Sequence, residues 1–209
     1  MHTKERELLQ QAAEWRLIGL LFECPKSDWL EQVTNLAKEI QDPNLKLAVQ
    51  AAEIEANEGL YHSVLGPGGP APAREISYNS WAEPGRMMSE LTSYYKAFSF
   101  QPVTNEVADH ISLEANFISY LRLKEAYAIA CDAMEEAKIT AEASEKFIAE
   151  HLNTIAEPLV NILVDLDVEY LKNAGQALLM RVGQVKHKSL PVFDNFSEID
   201  ECQFSCEEA

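Results

Sequence analysis

The chain has 209 residues, 47% of them hydrophobic, which is enough for one sizeable core, and no shift in composition asks for a second domain. Its 34 acidic residues stand against 17 basic ones for a net charge of -17, so a nucleic-acid backbone is repelled and a cationic partner is favoured. The four cysteines, Cys24, Cys131, Cys202 and Cys206, are too few and too irregularly placed for a disulfide framework, which suits a reducing compartment.

The first 25 residues lack the basic start, uninterrupted apolar run and small-residue cleavage site of a secretory signal. They read instead as an amphipathic helix with Leu8, Ala12, Trp15, Gly19 and Phe22 on one stripe. No window approaches the roughly 18 apolar residues of a membrane span, so a cytoplasmic protein without stable membrane insertion is expected. Ser27 and Asp28 are placed to cap a second helix carrying Leu30, Val33, Ala37 and Ile40. Asp42 followed by Pro43 opens a third, expected to run to about Leu65. Residues 66–82 then form a loop, because "GPGGPAP" crowds three glycines and three prolines together. Past it, Met88, Leu91, Tyr95 and Phe98 make a helical stripe with Met87 and Tyr94 beside it. Ile111, Ala115, Ile118 and Leu121 make another, flanked by Phe117 and Tyr120. Two further helices are expected around Phe147 to Leu166, with Pro158 as a break or kink, and around Val168 to Val182. With no stretch of period two, residues 1–187 predict one all-α domain of seven to nine helices, and the acidic, aperiodic residues 188–209 predict a flexible tail.

Several chemistries are excluded by spacing. The residues three before His62, His110, His151 and His187 are Gly59, Val107, Ile148 and Gln184, so no Glu-x-x-His pair exists for a di-iron carboxylate site. His110 and Glu114 share a helix face, but one pair falls short of the three or four donors that a metal needs. Cys202 and Cys206 have no matching second pair. Neither a phosphate-binding glycine loop nor a nucleophile elbow is present. No cofactor and no metal are therefore expected. What remains is "NEVADH" at 105–110. Asn105 can cap a helix whose first turn carries Glu106 and Asp109 as acids facing the positive end of the dipole. Alternatively Asp109 and His110 form an acid/base pair of a helical enzyme, or the trio is a docking point.

Three stretches carry a resemblance. "YHSVLGPGGPAPAREISYNSW", with Tyr61, Leu65, Gly66, Pro67 and Tyr78-Asn79-Ser80, "EVADHISLEANFISYL", and "FIAEHLNTIAEPLVNIL" follow one another between about residues 60 and 180. Together they resemble the TorD/DmsD/NarJ family of cytoplasmic chaperones that mature molybdenum-containing redox enzymes. The chain departs from the family pattern at Val107, which stands where the family has proline, and at Asn79, which stands for an acid. The resemblance implies a TorD-like helical fold and a binding protein rather than an enzyme, acting as monomer or homodimer. Its partner is an apo molybdoenzyme catalytic subunit, held through its N-terminal leader, often a twin-arginine one, until the cofactor is inserted. A variant of this reading is a non-catalytic assembly subunit that stays with the complex. A leader has a cationic head and an apolar stretch, so Glu106 and Asp109 are expected to meet its arginines, with His110 orienting Asp109. Tyr61, Tyr78, Trp81 and Met87 are expected to line an apolar groove beside them.

Overall fold

The computed structural model describes residues 3–79, 82–102, 104 and 106–183, and within them the regular elements are helical apart from one isolated β-bridge. Trp81, Asn105 and the expected tail lie outside the described residues.

Helix α1 (Thr3–Leu21) buries Leu8, Ala12, Trp15 and Gly19, the stripe its sequence presents. α2 (Trp29–Ala37) is short and packs through Trp29 and Val33. α3 (Pro43–Glu55) begins where Asp42 accepts a hydrogen bond from the Leu45 amide at 2.9 Å and Pro43 takes the first turn. The helix does not continue to Leu65. Asn57 adopts extended backbone and its side chain accepts from the Leu60 amide at 2.9 Å, which ends one helix and starts α4 (Glu58–Val64).

After the Gly/Pro loop come α5 (Pro84–Ala97) and α6 (Ile111–Ala130). α7 (Met134–Phe147), which no hydrophobic stripe announces, is followed by α8 (Asn153–Asp165) and α9 (Glu169–Val182). α7 and α8 run on through a π turn at Ile148–Leu152, so the nine segments form eight rods. The break or kink expected at Pro158 does not end a helix, since Pro158 lies inside α8, and the change of helix type falls upstream at this π turn. A proline cannot donate to the carbonyl four residues back, here that of Thr154, so α8 tolerates it with one bond missing from its ladder.

The central pair is α1 against α6. Their backbones approach closely at Gly19, where an added Cβ would lie 2.3 Å from Asn116 Oδ1. Ser119 Oγ donates across the same interface to the Ala12 carbonyl at 2.7 Å. α9 packs on α3 and α8. A ring cluster joins α5, α6 and α7: Tyr95 and Phe117 lie 5.0 Å apart, Phe117 and Phe147 4.9 Å, and Tyr94 and Phe147 5.2 Å at 90°. Phe117 and Phe147 are fully buried, and each contributes about 2–3 kcal/mol through its lost apolar surface. No described helix is long and apolar enough to cross a membrane.

Candidate functional site

The Gly/Pro loop is folded back on α4 by its own backbone. The Ala71 amide donates to the Val64 carbonyl and the Ala73 amide to the Leu65 carbonyl, both at 3.1 Å. Gly69 permits this approach, since a Cβ there would sit 2.4 Å from the Val64 carbonyl oxygen. The loop then meets the start of α6 edge to edge: Arg74 and His110 form an antiparallel bridge, with the Glu75 amide donating to the Asp109 carbonyl and the Ile111 amide to the Ala73 carbonyl, each at 2.9 Å.

This bridge keeps residues 109 and 110 out of helical geometry, so α6 begins at Ile111 with His110 as its N-cap. Glu106 and Asp109 therefore precede the helix instead of occupying its first turn. Asp109 is 0% exposed and is gripped by Arg74, whose Nε donates to Oδ1 at 3.0 Å and to Oδ2 at 3.2 Å, and whose Nη2 donates to Oδ1 at 2.9 Å. The arginine that meets Asp109 is thus the chain's own. His110 is also interior. Its Nδ1 accepts from the Ser112 amide at 3.2 Å, which leaves the ring proton on Nε2 to donate to Tyr61 Oη at 3.1 Å. Burial, helped by the Arg74 charge and opposed by Asp109, lowers the His110 pKa to about 4, so the ring is neutral at physiological pH. Tyr61 is buried too, and burial pushes its hydroxyl well above the usual phenol range.

Two further acids complete this interior knot. Glu75, 1% exposed, accepts from His151 Nδ1 at 3.0 Å. Glu114 is 0% exposed and neither of its oxygens has a hydrogen-bond partner among the described residues. Burial above all, then the Glu75 and Asp109 charges, raises its pKa well above the carboxylate range, so Glu114 is a neutral acid.

Glu106 points elsewhere. It lines a smaller cleft of about 300 Å³ with Cys24, Trp29 and Thr104. The trio that sequence places together is therefore divided between the interior and a separate surface.

The large concavity is a groove of about 1010 Å³ between α5 and α7. Glu75 and His151 form its inner end, Met87, Tyr94 and Phe98 line one wall, and Ile139 and Ala143 line the other. Glu83, Glu90, Glu142 and Glu150 stand along it with Glu75, against two cations, Arg86 and Lys146. Of the residues that the sequence singles out, Met87 is in this groove. Tyr78 is half-buried, and its hydroxyl is buried without a hydrogen-bond partner among the described residues. Sequence reasoning passed over Arg74, Glu75 and the groove acids. His151 was visible as part of the Phe-x-x-x-His-Leu segment, although its partner lies far away in the chain.

The family model described as nitrate reductase delta subunit matches residues 27–161. Among solved structures, one from Archaeoglobus fulgidus, provisionally assigned as a redox enzyme maturation protein, is similar at 18% identity with a TM-score of 0.49, over 87% of this chain and 94% of that one. No curated protein matches the sequence at a significant level.

Proposed function

The chain belongs to the nitrate reductase delta subunit family, the NarJ/TorD-like redox-enzyme maturation chaperones, and on that premise we propose that it binds the N-terminal leader of an apo molybdoenzyme subunit in the groove between α5 and α7. The protein acts in the cytoplasm and without turnover, and holds the client until its cofactor is inserted. The observation that carries this reading is the groove's lining among the described residues: an apolar trough of Met87, Tyr94, Phe98 and Ile139 bordered by four surface carboxylates, Glu83, Glu90, Glu142 and Glu150, against two cations, Arg86 and Lys146. A peptide with an arginine head and an apolar stretch matches both features. Met87 suits a variable apolar ligand because its side chain is flexible and polarizable. Asp109, His110 and Tyr61 support binding by fixing the loop that carries Glu75 and Asn79 into the groove. Tyr78 and Trp81 belong to that same loop, and Glu106 faces the smaller cleft.

The test is affinity capture from the native cytosol under anaerobic conditions, with the wild-type protein and a Glu83→Lys/Glu90→Lys variant as baits. Recovery of a molybdoenzyme catalytic subunit with its leader intact, and its loss with the variant, is expected. Equal recovery by both baits would remove the groove from the reading, and recovery of no such subunit by either would remove the client.

A further inference from the structure

The connection between α1 and α2 meets the outer face of α4 at a set of donors that the groove does not use. Cys24 Sγ lies 4.0 Å from His62 Nε2. That nitrogen lies 3.7 Å from Glu58 Oε1, and the three donor atoms fall within 4.8 Å of one another. Glu58 and His62 are one helical turn apart on α4, so they share a face. Cys24 arrives from a different element, and only the tertiary fold aims it at them.

Thiolate, imidazole and carboxylate together are the donor chemistry of a borderline cation, whereas calcium and magnesium take oxygen alone. Tetrahedral zinc holds sulfur at about 2.3 Å and nitrogen or oxygen at about 2.0 Å, which sets neighbouring donors about 3.5 Å apart. The Cys24–His62 and His62–Glu58 pairs need a contraction of about half an ångström or less, and the Cys24–Glu58 pair, within 4.8 Å, one of up to about 1.3 Å. The side chains can supply it, because His62 is 59% and Glu58 65% exposed while Cys24 is half-buried. The ring of His62 is braced edge-on by Tyr61 at 5.2 Å. Tyr61 is anchored in turn by His110 in the core. Glu106 and Asp28 line the cleft beside Cys24, against the single cation Lys26 among its described lining residues. A bound dication favours the thiolate form of a ligating cysteine.

We propose that Cys24, Glu58 and His62 form a binding site for a single divalent cation of the zinc type, with a fourth coordination position open to water. The ion ties the α1–α2 connection to α4, the helix that leads into the Gly/Pro loop. Its binding free energy therefore adds to the stability of the folded chain.

Cobalt(II) is the probe, because a tetrahedral thiolate complex gives visible d–d bands and a sulfur-to-cobalt charge-transfer band. Titration of the metal-free full-length protein is expected to show both bands saturating at one equivalent. Zinc is expected to displace the cobalt and to raise Tm. Loss of a supporting group around a metal costs about tenfold in affinity or more, so Cys24→Ser and His62→Ala, which remove ligands, are expected to weaken binding at least that far. Cys24→Ser also abolishes the charge-transfer band. The triple variant Cys131→Ser/Cys202→Ser/Cys206→Ser retains it. Circular dichroism of each variant checks that the helices persist. Absence of a charge-transfer band in the wild type, its survival in Cys24→Ser, or its loss in the triple variant would overturn the assignment.

Discussion

The interior knot and the groove beside it use the same residue types for opposite ends. In the knot, Asp109 is held by Arg74, Glu75 by His151, and Glu114 is neutral, so three acids present almost no free charge. In the groove, Glu83, Glu90, Glu142 and Glu150 stand at the surface, and the ion pairs of Glu90 with Arg86, Glu142 with Lys138 and Glu150 with Lys146 are exposed to solvent and open to exchange with a partner. Glu75 belongs to both regions and is their point of contact. The difference teaches that an acidic residue identifies a docking site when its carboxylate is at the surface, where an exposed ion pair is weak enough to be exchanged, and not when a buried partner holds it. Asp109 and His110 meet the sequence criterion and fail the structural one.

If the knot is structural, its variants should lose stability in proportion to the charge they strand. Arg74→Ala should have the largest effect, because it leaves Asp109 buried and unpaired. Breaking a buried pair costs about 3–5 kcal/mol, and the 44% exposure of the Arg74 side chain reduces this to about 2–3 kcal/mol, read as a lower Tm. A loss below about 0.5 kcal/mol would mean that Asp109 is free to take an outside arginine.

His110 should come next, through pH. Its folded pKa, about 4, lies below the ordinary 6.5, so between these values the unfolded chain binds more protons and stability falls as pH falls. The loss by pH 4.5 should be about 2 kcal/mol. His110→Asn should flatten that slope while retaining a side chain able to cap α6. An unchanged slope in the variant would assign the acid sensitivity to other groups.

Glu114 has the opposite sign. Its folded pKa is raised, so its contribution is harmless below the unfolded value and grows unfavourable as pH rises above about 4.5. Glu114→Gln should stabilise the protein at neutral pH by about 1 kcal/mol and should have no such benefit at pH 4. Destabilisation at both pH values would instead reveal a specific role for the carboxyl group.

The helical character was legible in the sequence wherever large apolar residues mark the buried face, as in α1 with Leu8, Ala12, Trp15 and Gly19. It was illegible in α7, whose buried positions are Ala137, Thr140, Ser144 and Phe147. The helical spacing is present there, but small and polar side chains carry it, so a search for hydrophobic periodicity passes over it. Asn57 shows a second limit: one side chain accepting from the Leu60 amide divides a continuous apolar pattern into two helices. The family landmarks located the bridged loop and the start of α6. They did not separate Glu106 from Asp109, because that depends on the backbone pairing of Arg74 with His110. The groove acids on α5 and α7 come from distant segments and share a surface only after folding.

The rim should matter least for stability and most for binding. Glu83→Lys/Glu90→Lys is expected to change stability by less than about 0.5 kcal/mol, since both side chains are exposed. The most direct test of the account is a fluorescence-anisotropy titration of a labelled peptide carrying paired arginines and an apolar stretch. It would be run against wild type, this rim variant and a Glu106→Lys control, at low and high salt. The account predicts affinity about tenfold weaker for the rim variant, near wild-type affinity for the control, and weakening with salt in the wild type. Unchanged binding by the rim variant, with loss in the Glu106 control, would contradict it and move the site to the smaller cleft.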